Sequence, residues 1–109
     1  MSSKPTIYVT TLSSLIDINF LLYGMEEEEI PSQLFSTTKK ELIEAAYEQA
    51  IASPLSVGIA VDEKQAVLHF KNLPEKEPLF IVDNTQEKLM TLGKNAARLV
   101  KGMPFKLDV

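Results

Sequence analysis

Four consecutive carboxylates at residues 26–29, Glu26, Glu27, Glu28 and Glu29, and three cations at Lys94, Arg98 and Lys101 are the side chains whose type and spacing carry chemistry here. The glutamates fall where an amphipathic helix should end, at the negative pole of its dipole. A carboxylate in that position loses roughly 0.3–1 kcal/mol relative to a neutral residue, and charged neighbours add repulsion. A positive partner relieves the penalty. It can be counter-ions around a solvated turn, basic side chains on another surface, or a divalent cation. Successive helix residues fan out by about 100°, so at most two of the glutamates can face one ion and further ligands must come from elsewhere. The chain has no cysteine and one histidine, His69, which leaves carboxylates as the ligand set and favours Mg²⁺ or Ca²⁺ over a transition metal. Lys94, Arg98 and Lys101 recur at helical spacing and form one basic stripe. No aromatic residues interleave it, so it lacks the platforms on which bases stack.

Other chemistry is missing from the pattern. The glycines stand at 24, 58, 93 and 102, too far apart for a phosphate-cradling loop, so the chain is not expected to bind a nucleotide by itself. His69 lies in a predicted strand with no serine or acid placed to form a relay, and is expected to face solvent or a partner. No catalytic residue emerges.

Length and composition, 109 residues with 45% hydrophobic and 24% charged, fit one globular domain over residues 1–109. No run approaches the ~20 apolar residues of a membrane span, and residues 1–5 lack a secretory signal pattern, so a cytoplasmic protein is expected. The net charge of −4 is divided unevenly: residues 1–54 carry three bases against eight acids, residues 55–109 eight bases against seven acids. An acidic first half and a basic last helix fit oriented docking to another protein better than nucleic-acid binding.

The elements that must position these groups are legible in outline. Residues 5–11 are β-branched and aromatic and predict an interior strand. A helix should open at Ser13 or Ser14, bury Leu15, Ile18, Leu22 and Met25, and stop at Pro31. A short strand at 33–36 precedes a capping box at Thr38 and Glu41, then a helix burying Leu42, Ala46, Tyr47, Ala50 and Ile51. Strands at 55–61 and 66–70 should form a hairpin, with a surface loop at 72–78 and a strand at 79–82. A capping box at Asn84 and Glu87 opens the last helix, which should bury Leu89, Leu92, Ala96, Leu99 and Met103 and end at Gly102. The order β-α-β-α-β-β-β-α predicts an α/β fold, a three-layer α/β/α sandwich around a mixed, mostly parallel sheet.

Three blocks in order carry a resemblance: Ser53-Pro54-Leu55-Ser56-Val57-Gly58-Ile59-Ala60; His69-Phe70-Lys71-Asn72-Leu73-Pro74 with Pro78-Leu79-Phe80; and Gly93-Lys94-Asn95-Ala96-Ala97-Arg98-Leu99-Val100-Lys101-Gly102-Met103-Pro104-Phe105. Gly24-Met25-Glu26-Glu27-Glu28-Glu29-Ile30-Pro31 adds a fourth, similar to a family Gly-Ile-Glu-Glu-Glu-Gly-Ile-Pro. Together they resemble the small subunit of the reactivating factor for adenosylcobalamin-dependent diol and glycerol dehydratases.

The resemblance implies a chaperone-like, non-catalytic subunit on an anticodon-binding-domain-like fold shared with the dehydratase medium subunit. Its partner is a large subunit that binds ATP or ADP and hydrolyses ATP, in a hetero-tetramer of two large and two small chains. Subunit swapping with the dehydratase then releases damaged cobalamin. The setting is cytoplasmic, with a bacterial microcompartment as a further implied association, and neither nucleic acid nor membrane is an expected partner. The family places its middle glutamate on a Mg²⁺ ion shared with the large subunit, which maps to Glu27, with Glu26 and Glu28 as one-residue register alternatives. Lys94, Arg98 and Lys101 are the expected partner interface. At Glu29 the family has glycine, so a left-handed turn kept there costs about 1 kcal/mol. The alternative is a medium-subunit-like domain of the dehydratase itself.

Overall fold

Strand β1 (Ile7–Thr11) is followed by α1 (Asn19–Glu27), β2 (Ser32–Phe35), α2 (Leu42–Ala52), β3 (Val57–Val61), β4 (Gln65–Phe70), β5 (Phe80–Asp83) and α3 (Gln86–Lys101), in a computed structural model that describes residues 4–107. The element order matches the one expected from the sequence. The five strands form one sheet in the order β2-β1-β3-β4-β5. Strand β1 is interior, paired in parallel with β2 and β3, while β3-β4 and β4-β5 are antiparallel. The sheet is therefore evenly mixed rather than mostly parallel, because β5 returns beside β4 through a loop with no helix in it.

Strand periodicity sorts the two faces. Ile7, Val9, Val57, Ile59, Val61, Ala66 and Leu68 meet Ile18, Leu21, Met25, Leu89, Leu92 and Ala96 on the α1/α3 side. Ala60 and Val67 meet Leu42, Ala45 and Ala46 on the α2 side. Strand β3 is buried along its whole length, as a strand covered on both faces must be. Gly58 lets α2 sit directly on it, since a Cβ there would collide with the backbone of Ala46, Gln49 and Ala50.

The helix boundaries and faces depart from expectation in ways that packing explains. Helix α1 begins at Asn19 instead of Ser13 or Ser14, with the Asp17 carboxylate accepting the Asn19 N–H at 2.9 Å. Leu15 consequently stands in the preceding loop, 92% exposed, and Leu21, Gly24 and Met25 form the buried stripe. Helix α2 is capped by Glu41, whose side chain accepts from Ile43 and Glu44, and not by Thr38. Its small residues Ala46 and Ala50 turn inward against Gly58, with Ala45 in the cluster of Ala60 and Val67, and Ile51 is left 46% exposed. The cap of α3 is Thr85, because Asn84 instead donates from Nδ2 to the Asp62 carbonyl at 2.8 Å. Met103 lies beyond that helix and is exposed.

Candidate functional site: a glutamate turn clamped to a basic helix

Helices α1 and α3 run parallel and cross through two glycines. A Cβ on Gly24 would strike the Met90 carbonyl, and one on Gly93 the Leu21 carbonyl, so the backbones touch with no side chain between them. The crossing sets everything beyond it. One turn on, Glu27 arrives beside Lys94 and Glu28 beside Arg98 and Lys101. The acidic run and the basic stripe, separate in sequence, are two halves of one structure.

Each glutamate has a different position in it. Glu28 is the clamp. Its Oε2 accepts from Arg98 Nε at 3.3 Å and Nη2 at 3.2 Å, its Oε1 from Lys101 Nζ at 3.1 Å, and its backbone carbonyl from the same Nζ at 2.9 Å. Its side chain is 14% exposed. The hydrogen bond from Lys101, opposed by desolvation and reinforced by Arg98, holds the Glu28 carboxyl below its usual range. Glu27 is the outward member: 54% exposed, with a single contact from Oε1 to Lys94 Nζ at 3.2 Å, while Lys94 itself is only 18% exposed. The exposed Glu26 side chain has no ion pair or hydrogen bond among the described residues.

Glu29 closes the helix. It adopts a left-handed φ of 62°, with its N–H bonded to the Glu26 carbonyl at 2.9 Å and the Ile30 N–H to the Met25 carbonyl at 3.1 Å. Helix α3 ends on the same pair of bonds, Gly102 to Leu99 and Met103 to Arg98, with Gly102 at φ 70°. Both are Schellman closures, one built on glycine and the other on glutamate. The two negative helix poles therefore lie side by side, and Arg98 and Lys101, in the last turn of α3, neutralise both.

Carboxylate oxygen suits a hard divalent cation, and the outward face of Glu27 already holds a cation, the Lys94 ammonium. Among the described residues no group of three or more His, Cys, Asp or Glu converges on one point. Glu26 and Glu27 are the exposed carboxylates at this end of α1, and a metal held on either would need further ligands from outside the described residues. Both carboxylate oxygens of Glu28, the other register alternative, are engaged by Arg98 and Lys101.

His69 does not face solvent or a partner. It is fully buried on the α2 side, its Nε2 2.8 Å from the Glu75 carbonyl, its Nδ1 accepting the Phe70 N–H at 2.9 Å, and its ring 5.0 Å from that of Tyr47. Strand alternation from Val67 places it inward despite its polarity. It pins the loop after β4, a structural use. Asn95 adds a polar residue to the buried face of α3. Its amide makes two hydrogen bonds to the backbone of Lys106, 2.9 and 2.6 Å, and ties the segment after α3 back over the helix, where Phe105 meets Phe80 edge to face.

Comparison with known proteins places this arrangement in a family. The dehydratase medium subunit family model matches residues 4–106. The propanediol dehydratase-reactivating factor small subunit of Salmonella typhimurium is 40% identical over 107 residues, 95% of this chain and 92% of that protein. The diol dehydratase-reactivating factor small subunit of Klebsiella michiganensis is 46% identical over 88 residues, 79% of this chain and 70% of that protein. Among solved structures, a diol dehydratase-reactivating factor complexed with ADP and Mg²⁺ superposes with a TM-score of 0.88 at 39% identity, over 96% of this chain and 100% of that one. A glycerol dehydratase reactivase gives 0.86 at 27% identity, over 95% and 98%. The chain belongs to the dehydratase medium subunit family and, within it, to the dehydratase-reactivating factor small subunits.

Proposed function

We propose that this chain is the exchangeable, non-catalytic subunit of a chaperone-like factor. It docks on an ATP-hydrolysing large subunit and yields its place to the medium subunit of an inactivated diol or glycerol dehydratase, so that the damaged cobalamin is released. The supporting observation is the near end-to-end likeness, in fold and sequence, to a chain of a diol dehydratase-reactivating factor complexed with ADP and Mg²⁺, together with relatives named as reactivating factor small subunits. ATP and ADP belong to the large subunit, in an assembly of two large and two small chains, within the cytoplasm or a bacterial microcompartment.

The docking face we propose is the end of α1 and α3. Glu27 presents its carboxylate outward there as this chain's ligand to an interface Mg²⁺, with Glu26 as the register alternative. Lys94, Arg98 and Lys101 border the same face and hold the turn that aims it. A bound Mg²⁺ would link carboxylates of the two subunits across the interface. The relatives' names favour this role over that of a dehydratase medium-subunit domain.

Co-expression with the cognate large subunit, followed by native mass spectrometry in ADP and in ATP, tests the assignment. A stable complex that loses this chain when dehydratase is added in ADP is expected; failure to form a complex would overturn it. Glu27→Gln should weaken the complex only when Mg²⁺ is present, and Glu26→Gln should not.

A further inference from the structure

Resting on that docking reading, we infer that Lys94 is the resident counter-ion of Glu27 in the free chain and is exchanged for the divalent cation on docking. Cation binding and subunit association are then coupled through the release of one ammonium group.

The three cations are not equivalent. Arg98 and Lys101 are spent on Glu28, whose two carboxylate oxygens and backbone carbonyl they occupy. Lys94 alone touches Glu27, through one contact to Oε1 at 3.2 Å, and the carboxylate has no other partner among the described residues. The burial is asymmetric in the useful direction: the carboxylate is half exposed and the lysine largely covered, so an incoming ligand meets Glu27 first. Lys94 rises from the crossing where its backbone nitrogen abuts Gly24, which holds its stem beside α1 whatever the ammonium does.

A dication held by Glu27 would share that carboxylate with the Lys94 ammonium, now 3.2 Å from Oε1, and like charges on one carboxylate repel. The flexible four-carbon stem lets Lys94 swing away. In the free chain the same ammonium neutralises Glu27 and competes with stray cations, which a lone carboxylate would otherwise collect weakly. Only a site completed by the partner's ligands can displace it. Removing the lysine charge should therefore make the shared site easier to fill, while removing Glu27 should make the lysine irrelevant.

Association of the labelled chain with the large subunit, followed by fluorescence anisotropy across a Mg²⁺ titration without added nucleotide, measures this directly. Lys94→Met keeps the stem and deletes the charge, and should lower the Mg²⁺ midpoint by about three- to tenfold. Lys94→Arg should stay near the parent midpoint. In a Glu27→Gln background Lys94→Met should change nothing. If Lys94→Met leaves the midpoint unchanged or raises it while Glu27→Gln abolishes the Mg²⁺ dependence, the shared metal stands and the exchange is wrong. An equal shift in the Glu27→Gln background also overturns the exchange. If Glu27→Gln leaves the Mg²⁺ dependence intact, the metal role itself fails. Thermal unfolding of each variant separates these outcomes from loss of fold.

Discussion

Replacing Glu29 by glycine should make this protein more stable, although it deletes a side chain at a densely charged site. Glu29 holds φ at 62° in the turn that ends α1, and the identical closure of α3 uses Gly102 at 70°. For an L-residue with a Cβ that conformation costs roughly 1–2 kcal/mol. Glycine removes the strain but gains freedom in the unfolded chain, which returns about 0.4–1 kcal/mol. Loss of a carboxylate at the negative helix pole adds roughly 0.3–1 kcal/mol in favour of the variant. The net gain is about 1 kcal/mol, or roughly 4 °C in Tm for a domain of this size. Both closing hydrogen bonds are backbone to backbone, from Glu29 to Glu26 and from Ile30 to Met25, so the substitution leaves them in place. Urea unfolding of Glu29→Gly, Glu29→Gln and the parent separates strain from charge. Glutamine keeps the Cβ and should recover only the smaller, salt-sensitive electrostatic part. A Glu29→Gly variant no more stable than Glu29→Gln would refute the strain argument, and one less stable than the parent would refute the whole account.

The Glu28 clamp makes a pH prediction. Folding lowers this carboxyl below its reference value of 4.5, so its contribution is complete above that pH and is lost as pH falls through the lower folded value. The stability gap between the parent and Glu28→Gln should be widest at neutral pH and close in acid; urea midpoints at pH 7 and pH 3 that show the same gap would refute it. Thr10 is fully buried in β1 and its Oγ1 has no hydrogen-bond partner among the described residues. The near-isosteric Thr10→Val should therefore stabilise by about 1 kcal/mol in thermal or urea unfolding, and a comparable loss would reveal a partner for the hydroxyl.

Element order and most strand positions were legible because they rest on short-range periodicity, which the core enforces. Helix starts and faces were less so. Ser13, Thr38 and Asn84 all carry good capping chemistry, yet α1 opens after Ile18, with the Asp17 carboxylate on the Asn19 N–H, and Glu41 and Thr85 take the other two positions. Local hydrogen-bonding preference is worth about 1 kcal/mol and yields to where the helix must land on the sheet. In α2 that landing is decided by Gly58 on a strand, which lets Ala46 and Ala50 come inward and leaves Ile51 outside. A hydrophobicity count on the helix alone contains no such information.

The glutamate run shows the same limit and where it lifts. Its electrostatic penalty was visible in the sequence, and so was a matching basic stripe, but nothing local joined residues 26–29 to residues 94–101. The join is made by Gly24 and Gly93, which look like weak points in two helices until they are seen to face each other. Once the backbones touch there, helical geometry dictates that the residues one turn on must meet, and the run divides: Glu28 toward Arg98 and Lys101, Glu27 to the rim, Glu29 into the turn. Most of the penalty is thus met inside the chain. What remains outward is Glu27, balanced by a single lysine and half exposed, the member of the run that another molecule can reach.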